Sequence, residues 1–143
     1  FFIEIGGEIR STSLKSNDQP WKAGIVNPSD QDKIIYTFLS SSFDSFALAT
    51  SGDYRNVRIL NEKEFSHTMN TFSGFPSSFS KKSVTVISEN AMKADALATA
   101  LNAMKLEQAI NYSNKEGIKA LFITEIEGQT KLLFSDDLEQ VKI

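Results

Sequence analysis

Apolar positions along this chain fall mainly in short runs broken by polar, glycine-bearing or proline-bearing stretches, a pattern of strands rather than of long helices. The opening stretch "FFIEIGGEI" reads as a strand running into Gly6-Gly7, where backbone freedom allows a bulge or a close approach to a ligand. "PWKAGIV" is a second strand, stopped by Asn27-Pro28 and followed by the polar turn "NPSDQD". "KIIYTFL" and "SFALAT" flank a serine-rich loop, and "NVRIL" and "EFSHTM" form a hairpin around Asn61-Glu62-Lys63. "SVTVIS" follows the loop "SGFPSSFSKK" as a further strand.

The period changes at Asn90, a residue type suited to an N-cap. Beyond it Leu97, Leu101 and Met104 recur at helical spacing, with no Gly or Pro before Gly117, which fits one long helix or two consecutive short ones. "IKALFITEI" and "TKLLFS" then close a hairpin around Glu127-Gly128, and Ser135 is placed to cap a last helical turn. The expected class is α+β: a mainly antiparallel sheet packed against one or two helices, with no internal repeat and no interdomain linker. The chain opens on Phe1-Phe2-Ile3 without Met, already in a strand pattern, and is expected to be the later part of a longer protein.

Composition narrows the partners. With 143 residues and 41% hydrophobic content the chain has enough apolar material for one sizeable core. Its 18 acidic and 15 basic residues give a net charge of −3, and no Lys/Arg cluster exceeds Lys81-Lys82, so nucleic acid is excluded as the main partner. No apolar run approaches the roughly 18 residues of a membrane span. With no cysteine there are no disulfides, thiolate metal sites or cysteine nucleophiles, a composition equally at home in an oxidising compartment and in the cytosol.

Three stretches can carry chemistry, and each also has an ordinary structural reading. In "MKADALATAL", Asp95 and Thr99 are four apart, hence neighbours on one helix face among alanines. A carboxylate and a hydroxyl can offer two hard oxygens to Mg²⁺; equally, Asp95 can be solvated and Thr99 bonded back to its own helix. In "TSGDYRN", hydroxyls, a glycine and an acid follow an apolar strand as in an anion-holding turn, and Arg55 can grip a phosphate or pair with Asp53 or Glu62. The only histidine, His67, lies in "SHT", where imidazole can exchange a proton near neutral pH or donate to a phosphate, or serve as a hydrogen-bonded surface group. No G-x-S-x-G nucleophile elbow supports a Ser-His-Asp hydrolase.

Taken in order, "EIGGEIR", "PWKAGI", "ALATSGDYRN", "SHTMNTFSGFP", "SVTVIS" and "ADALATAL" resemble the ApbE-type FAD:protein FMN transferases, a family long labelled thiamine-biosynthesis lipoproteins. The resemblance spans about residues 1 to 104 and implies an ApbE-like partial domain: residues 1–143 as the C-terminal part, with the N-terminal part absent. It implies Mg²⁺-dependent transfer of FMN from FAD to a threonine of an acceptor flavoprotein, with release of AMP. In that pattern Asp95 and Thr99 bind Mg²⁺, His67 is catalytic beside the FAD phosphates, and Ser51, Gly52, Asp53, Arg55, His67 and Thr68 contact FAD. Gly6, Gly7 and Glu8 sit where the family brings its backbone near the nucleotide, a structural bulge being the equal alternative. The family also implies export, usually as a lipoprotein facing the periplasm, with cytoplasmic members known.

One loop departs from the pattern. After its histidine the family usually has an acid and proline, as in "SHTIDPxTGxP", whereas this chain has Met69-Asn70-Thr71-Phe72-Ser73-Gly74. The rival classes are an FAD pyrophosphatase, using the same residues with water in place of the acceptor hydroxyl, and a non-catalytic flavin-binding or degenerate module. An N-terminal half of the same protein is the expected partner in completing the flavin cleft.

Overall fold

A computed structural model describes residues 1–52, 57–60, 63–66, 69, 74 and 81–141. Its centre is a six-stranded sheet built from β1 (Phe2–Ile5), β2 (Glu8–Ser11), β5 (Phe46–Gly52), β8 (Lys81–Ser88), β9 (Lys119–Ile126) and β10 (Gln129–Phe134), in that spatial order. Every neighbouring pair is antiparallel. Two ribbons stand apart from it: β3 (Lys22–Asn27) with β4 (Asp30–Leu39), and β6 (Val57–Leu60) with β7 (Lys63–Ser66). The helices are α1 (Ala91–Ala103), α2 (Leu106–Lys115) and the short α3 (Asp136–Glu139). No helix among the described residues is long and apolar enough to cross a membrane.

The middle of the sheet is buried on both faces, so its central strands carry alternating residues into two cores. On one face Val84, Val86, Ala120 and Phe122 pack with Ala98, Leu101, Ala109 and Ile118 of the helical layer. On the other, Phe46, Leu48, Ile87, Leu121 and Ile123 pack with Ala23, Ile25 and Phe38 of the β3–β4 ribbon and with Leu138 of α3. The result is three layers, with the sheet in the middle, and the α+β class is the expected one.

The helical stretch divides in two. Asn90 caps α1 as its sequence implies, its side chain accepting from Lys93 N at 2.8 Å. Met104 and Lys105 then adopt extended backbone and end the helix before α2 begins. Gly117, at φ 63°, closes α2 in the left-handed conformation, and Ile118 N donates to Ser113 O at 2.9 Å, the six-to-one bond of such a terminus.

Two local expectations are corrected. Gly6-Gly7 is not a bulge but the two-residue turn of the β1–β2 hairpin, in which Ile5 pairs with Glu8. Its φ values of 67° and 106° belong to the positive region that such tight hairpins require. Ser135 stands at the N-cap position of α3 but makes no side-chain cap. Its hydroxyl instead donates to Ile118 O and accepts from Ala120 N, stitching the two ends of the β9–β10 hairpin.

Candidate functional site

The geometry of the site begins with how α1 sits. Ala47 and Ala49 on β5, together with Ala94 and Ala98 on α1, are all buried, and α1 packs directly over β5 and β8. Small side chains facing small side chains let helix and sheet approach closely. Because β8 ends beside the start of β5 and α1 turns back over both, α1 runs in the direction of β5.

The two elements share a starting level, since Ser45 Oγ donates to Glu89 O at 3.0 Å. From there α1 rises about 1.5 Å per residue and β5 about 3.4 Å, so Thr99 climbs to about the level of Ala49 and Thr50. Ala47, Ala49 and Ser51 alternate onto the helical face of the sheet, while Leu48 and Thr50 point to the ribbon face. Asp95, Thr99 and Ser51 therefore share one side of the sheet. Asp95 and Thr99 are both exposed, and among the described residues neither has a hydrogen bond or an ion pair.

This bears on the ordinary reading of that pair. Thr99 does not bond back to its helix, as Ser113 does to Ala109 O at 2.8 Å, and among the described residues no lysine neutralises Asp95, as Lys93 does Glu89 at 3.1 Å. The carboxylate and hydroxyl stay available as two hard oxygen donors, the chemistry that Mg²⁺ selects. The pair thus fits that cation as two of its ligands. Among the described residues no group of three or more His, Cys, Asp or Glu side chains supplements them.

On the ribbon face lies a recess of about 210 Å³ lined by Glu4, Gly7, Ile9, Gly24, Ile25, Val26, Leu48 and Thr50. Of these the sequence's candidate stretches bring out Gly7 and Thr50, and the rest join them only where the β3–β4 ribbon meets the sheet. Continuing the β2–β5 register from Ile9 opposite Leu48 puts Gly7 opposite Thr50, so the Gly6-Gly7 turn sits at the rim of this recess, beside the end of β5. With no Cβ at either position, the turn presents bare backbone at this rim, and a ligand crossing from one face of the sheet to the other would meet only the Glu4 and Glu8 carboxylates there. Glu4 Oε1 holds the turn by accepting from Gly7 N at 2.9 Å.

The end of β5 is polar. Thr50 and Thr85 share a hydrogen bond at 2.8 Å, and Ser83, paired with Gly52 across the strands, is buried with an Oγ that has no hydrogen-bond partner among the described residues. Ser51 and Gly52 belong to the strand itself, opposite Val84 and Ser83, rather than to a turn. Asp53, Arg55, His67 and Thr68 lie outside the described residues, which resume in β6 and β7 and pair through Leu60 and Lys63 as the expected hairpin. A larger cavity of about 420 Å³ opens at the opposite end of the sheet, between Ser45, Glu89, Lys93 and Lys119, and takes in none of Ser51, Gly52, Asp95 and Thr99.

Comparison with known proteins gives a consistent picture. The model of the ApbE family matches residues 1–122. The FAD:protein FMN transferase of Vibrio cholerae is 34% identical over 123 residues, covering 86% of this chain and 36% of the relative. The protein of the same name from Escherichia coli is 30% identical over 124 residues, covering 87% and 35%. The ApbE protein of Thermotoga maritima superposes with a TM-score of 0.81 at 28% identity, over 99% of this chain and 44% of that one. The flavinyl transferase ApbE of Pseudomonas stutzeri does so with a TM-score of 0.79 at 27% identity, over 98% and 42%. The likeness therefore extends through β10 and α3, past the segment matched by the family model. This chain spans about a third of the length of the curated relatives it matches.

Proposed function

Since this chain belongs to the ApbE family, we propose that it is the portion of an FAD:protein FMN transferase that holds the metal pair and the phosphate side of the FAD site. A threonine hydroxyl of an acceptor flavoprotein attacks the FMN-side phosphorus of FAD. The new Oγ–P bond replaces the bond to the bridging pyrophosphate oxygen, AMP leaves, and FMN remains attached as a phosphoester. The observation that carries this reading is the pair of exposed residues Asp95 and Thr99, without partners among the described residues, on the face of the sheet that Ser51 shares.

Mg²⁺ held there would neutralise charge on the pyrophosphate, which is where phosphoryl transfer needs help. The chain's own residues do the rest in this scheme. Asp95 and Thr99 hold the cation. The Gly6-Gly7 turn and the end of β5 keep the backbone low enough for the pyrophosphate to lie against it. Ser51, Asp53, Arg55 and Thr68 contact the phosphates or ribose, Arg55 through the two-pronged geometry that suits an anion. His67 accepts the proton of the acceptor hydroxyl as the Oγ–P bond forms.

The test uses the whole natural protein with FAD, Mg²⁺ and an acceptor fragment bearing a threonine target, followed by intact-mass spectrometry. A gain equal to one FMN, lost with EDTA and with Asp95→Ala, is the expected result. Free FMN and AMP with unmodified acceptor would replace the transferase by an FAD pyrophosphatase. Intact FAD would leave a flavin-binding module.

A further inference from the structure

Arg10 makes an unusual use of its guanidinium. On β2 it pairs with Ala47 of β5, which places it on the helical face of the sheet, flanking α1. Its Nη1 donates to Ser45 Oγ at 2.6 Å and to the main-chain carbonyl of Glu89 at 2.6 Å, and Ser45 Oγ donates to that same carbonyl at 3.0 Å. Among the described residues Arg10 has no carboxylate partner, and the Glu89 carboxylate is engaged by Lys93. One nitrogen therefore ties together β2, the approach to β5 and the residue that precedes the N-cap of α1. Nη1 has two hydrogens, one for each acceptor.

We propose that Arg10 is a positioning residue for the Asp95–Thr99 pair; the inference rests on the reading of that pair as a cation site. The physical need for such a residue lies in the seat of α1. Ala94 and Ala98, on either side of Asp95, are buried over Ala47 and Ala49, and four such short side chains interdigitate little, so packing grips this first half of α1 less than the second, where Leu101 is buried in one core with Val84, Val86 and Phe122. The N-terminal end of α1 then has a large part in setting where this first half sits. At its beginning, Asn90 fixes the first turn internally, the chain enters it from β8 through Glu89, and Arg10 and Ser45 add side-chain ties from Glu89 to β2 and to the approach to β5. A helix moves as a rod, so a displacement at Glu89 is delivered to Asp95 and Thr99 within three turns.

The experiment measures binding of Mn²⁺, as a probe for the hard cation, to the whole natural protein by electron paramagnetic resonance, alongside thermal melting and amide exchange across residues 91–99. Arg10→Met is expected to weaken Mn²⁺ binding on the order of tenfold, the low end of what loss of an outer support costs a metal site, and to speed exchange in α1. Arg10→Lys recovers part of the affinity because an ammonium can still reach one acceptor. Phe38→Leu, which trims the core on the opposite face, should lower the melting temperature while leaving Mn²⁺ affinity within about twofold. Equal weakening in Phe38→Leu would show general loosening and overturn the proposal. If Asp95→Ala abolishes Mn²⁺ binding while Arg10→Met leaves it unchanged, the positioning role alone falls. If Asp95→Ala changes nothing, the cation site falls and this inference with it. Should Arg10→Met fail to fold, Arg10→Lys and Ser45→Ala carry the test, with wild-type affinity in both overturning it.

Discussion

Thr50 and Thr85 face each other across β5 and β8 with their Oγ1 atoms 2.8 Å apart, and Thr85 is almost wholly buried. The pair lies where an apolar sheet gives way to the polar end that borders the recess. Each hydroxyl satisfies the other, so removing one strands its partner in the interior. Thr50→Val is expected to cost about 1–3 kcal/mol in urea denaturation, the penalty of an unsatisfied buried group. The double variant Thr50→Val with Thr85→Val should cost less than the sum of the singles. Simple additivity would mean that the two hydroxyls do not depend on one another.

Asp95→Ala and Thr99→Val should each eliminate FMN transfer by the whole protein while leaving the melting temperature within a few degrees, because both side chains are exposed and have no partner among the described residues. Thr99→Ser keeps the hydroxyl and should retain a substantial part of the activity. Loss of activity in Thr99→Ser equal to that in Thr99→Val would point to the threonine methyl rather than its oxygen.

Gly7 holds φ at 106°, a conformation that a side chain strongly disfavours. Gly7→Ala is expected to destabilise the β1–β2 hairpin by about 1–3 kcal/mol and to weaken FAD binding, measured by flavin fluorescence, more than it weakens Mn²⁺ binding. Equal losses for both ligands would argue for a general disturbance rather than an obstructed crossing.

His67→Ala should abolish transfer yet leave FAD affinity within several-fold of wild type, as suits a residue acting on the acceptor proton. Normal transfer by that variant, followed by acceptor mass, would remove His67 from the chemistry.

What the sequence makes legible is largely what short range decides. Asn90 announces α1 because capping is local chemistry between a side chain and an amide three residues on. Glu127-Gly128 announces the closing hairpin because both residues take positive φ at a two-residue turn. Asp95 and Thr99 are visible as a pair because helical spacing alone makes them neighbours. The partners of β5 are not legible in this way. It pairs with β2 and β8 across long stretches of intervening chain, and many registers satisfy an alternating apolar pattern. The recess beside Leu48 and Thr50 inherits that obscurity, since Gly24 and Val26 reach it only after the ribbon has docked. Ser135 shows the converse: a residue type right for a cap, with its hydroxyl claimed instead by the strand ends beside it.

The alternation of β5 makes that strand a partition whose two sides are assigned residue by residue. Ser51 belongs with the helix and Thr50 with the ribbon solely by parity. Inserting a single amino acid after Leu48 while the strand kept its pairing would exchange the two sides for everything downstream. Ala49 and Ser51 would turn to the ribbon and Thr50 to the helix, with no atom of Asp95 or Thr99 altered. The arrangement admits no odd change in the length of this strand, so in natural variants insertions and deletions should spare residues 46–52.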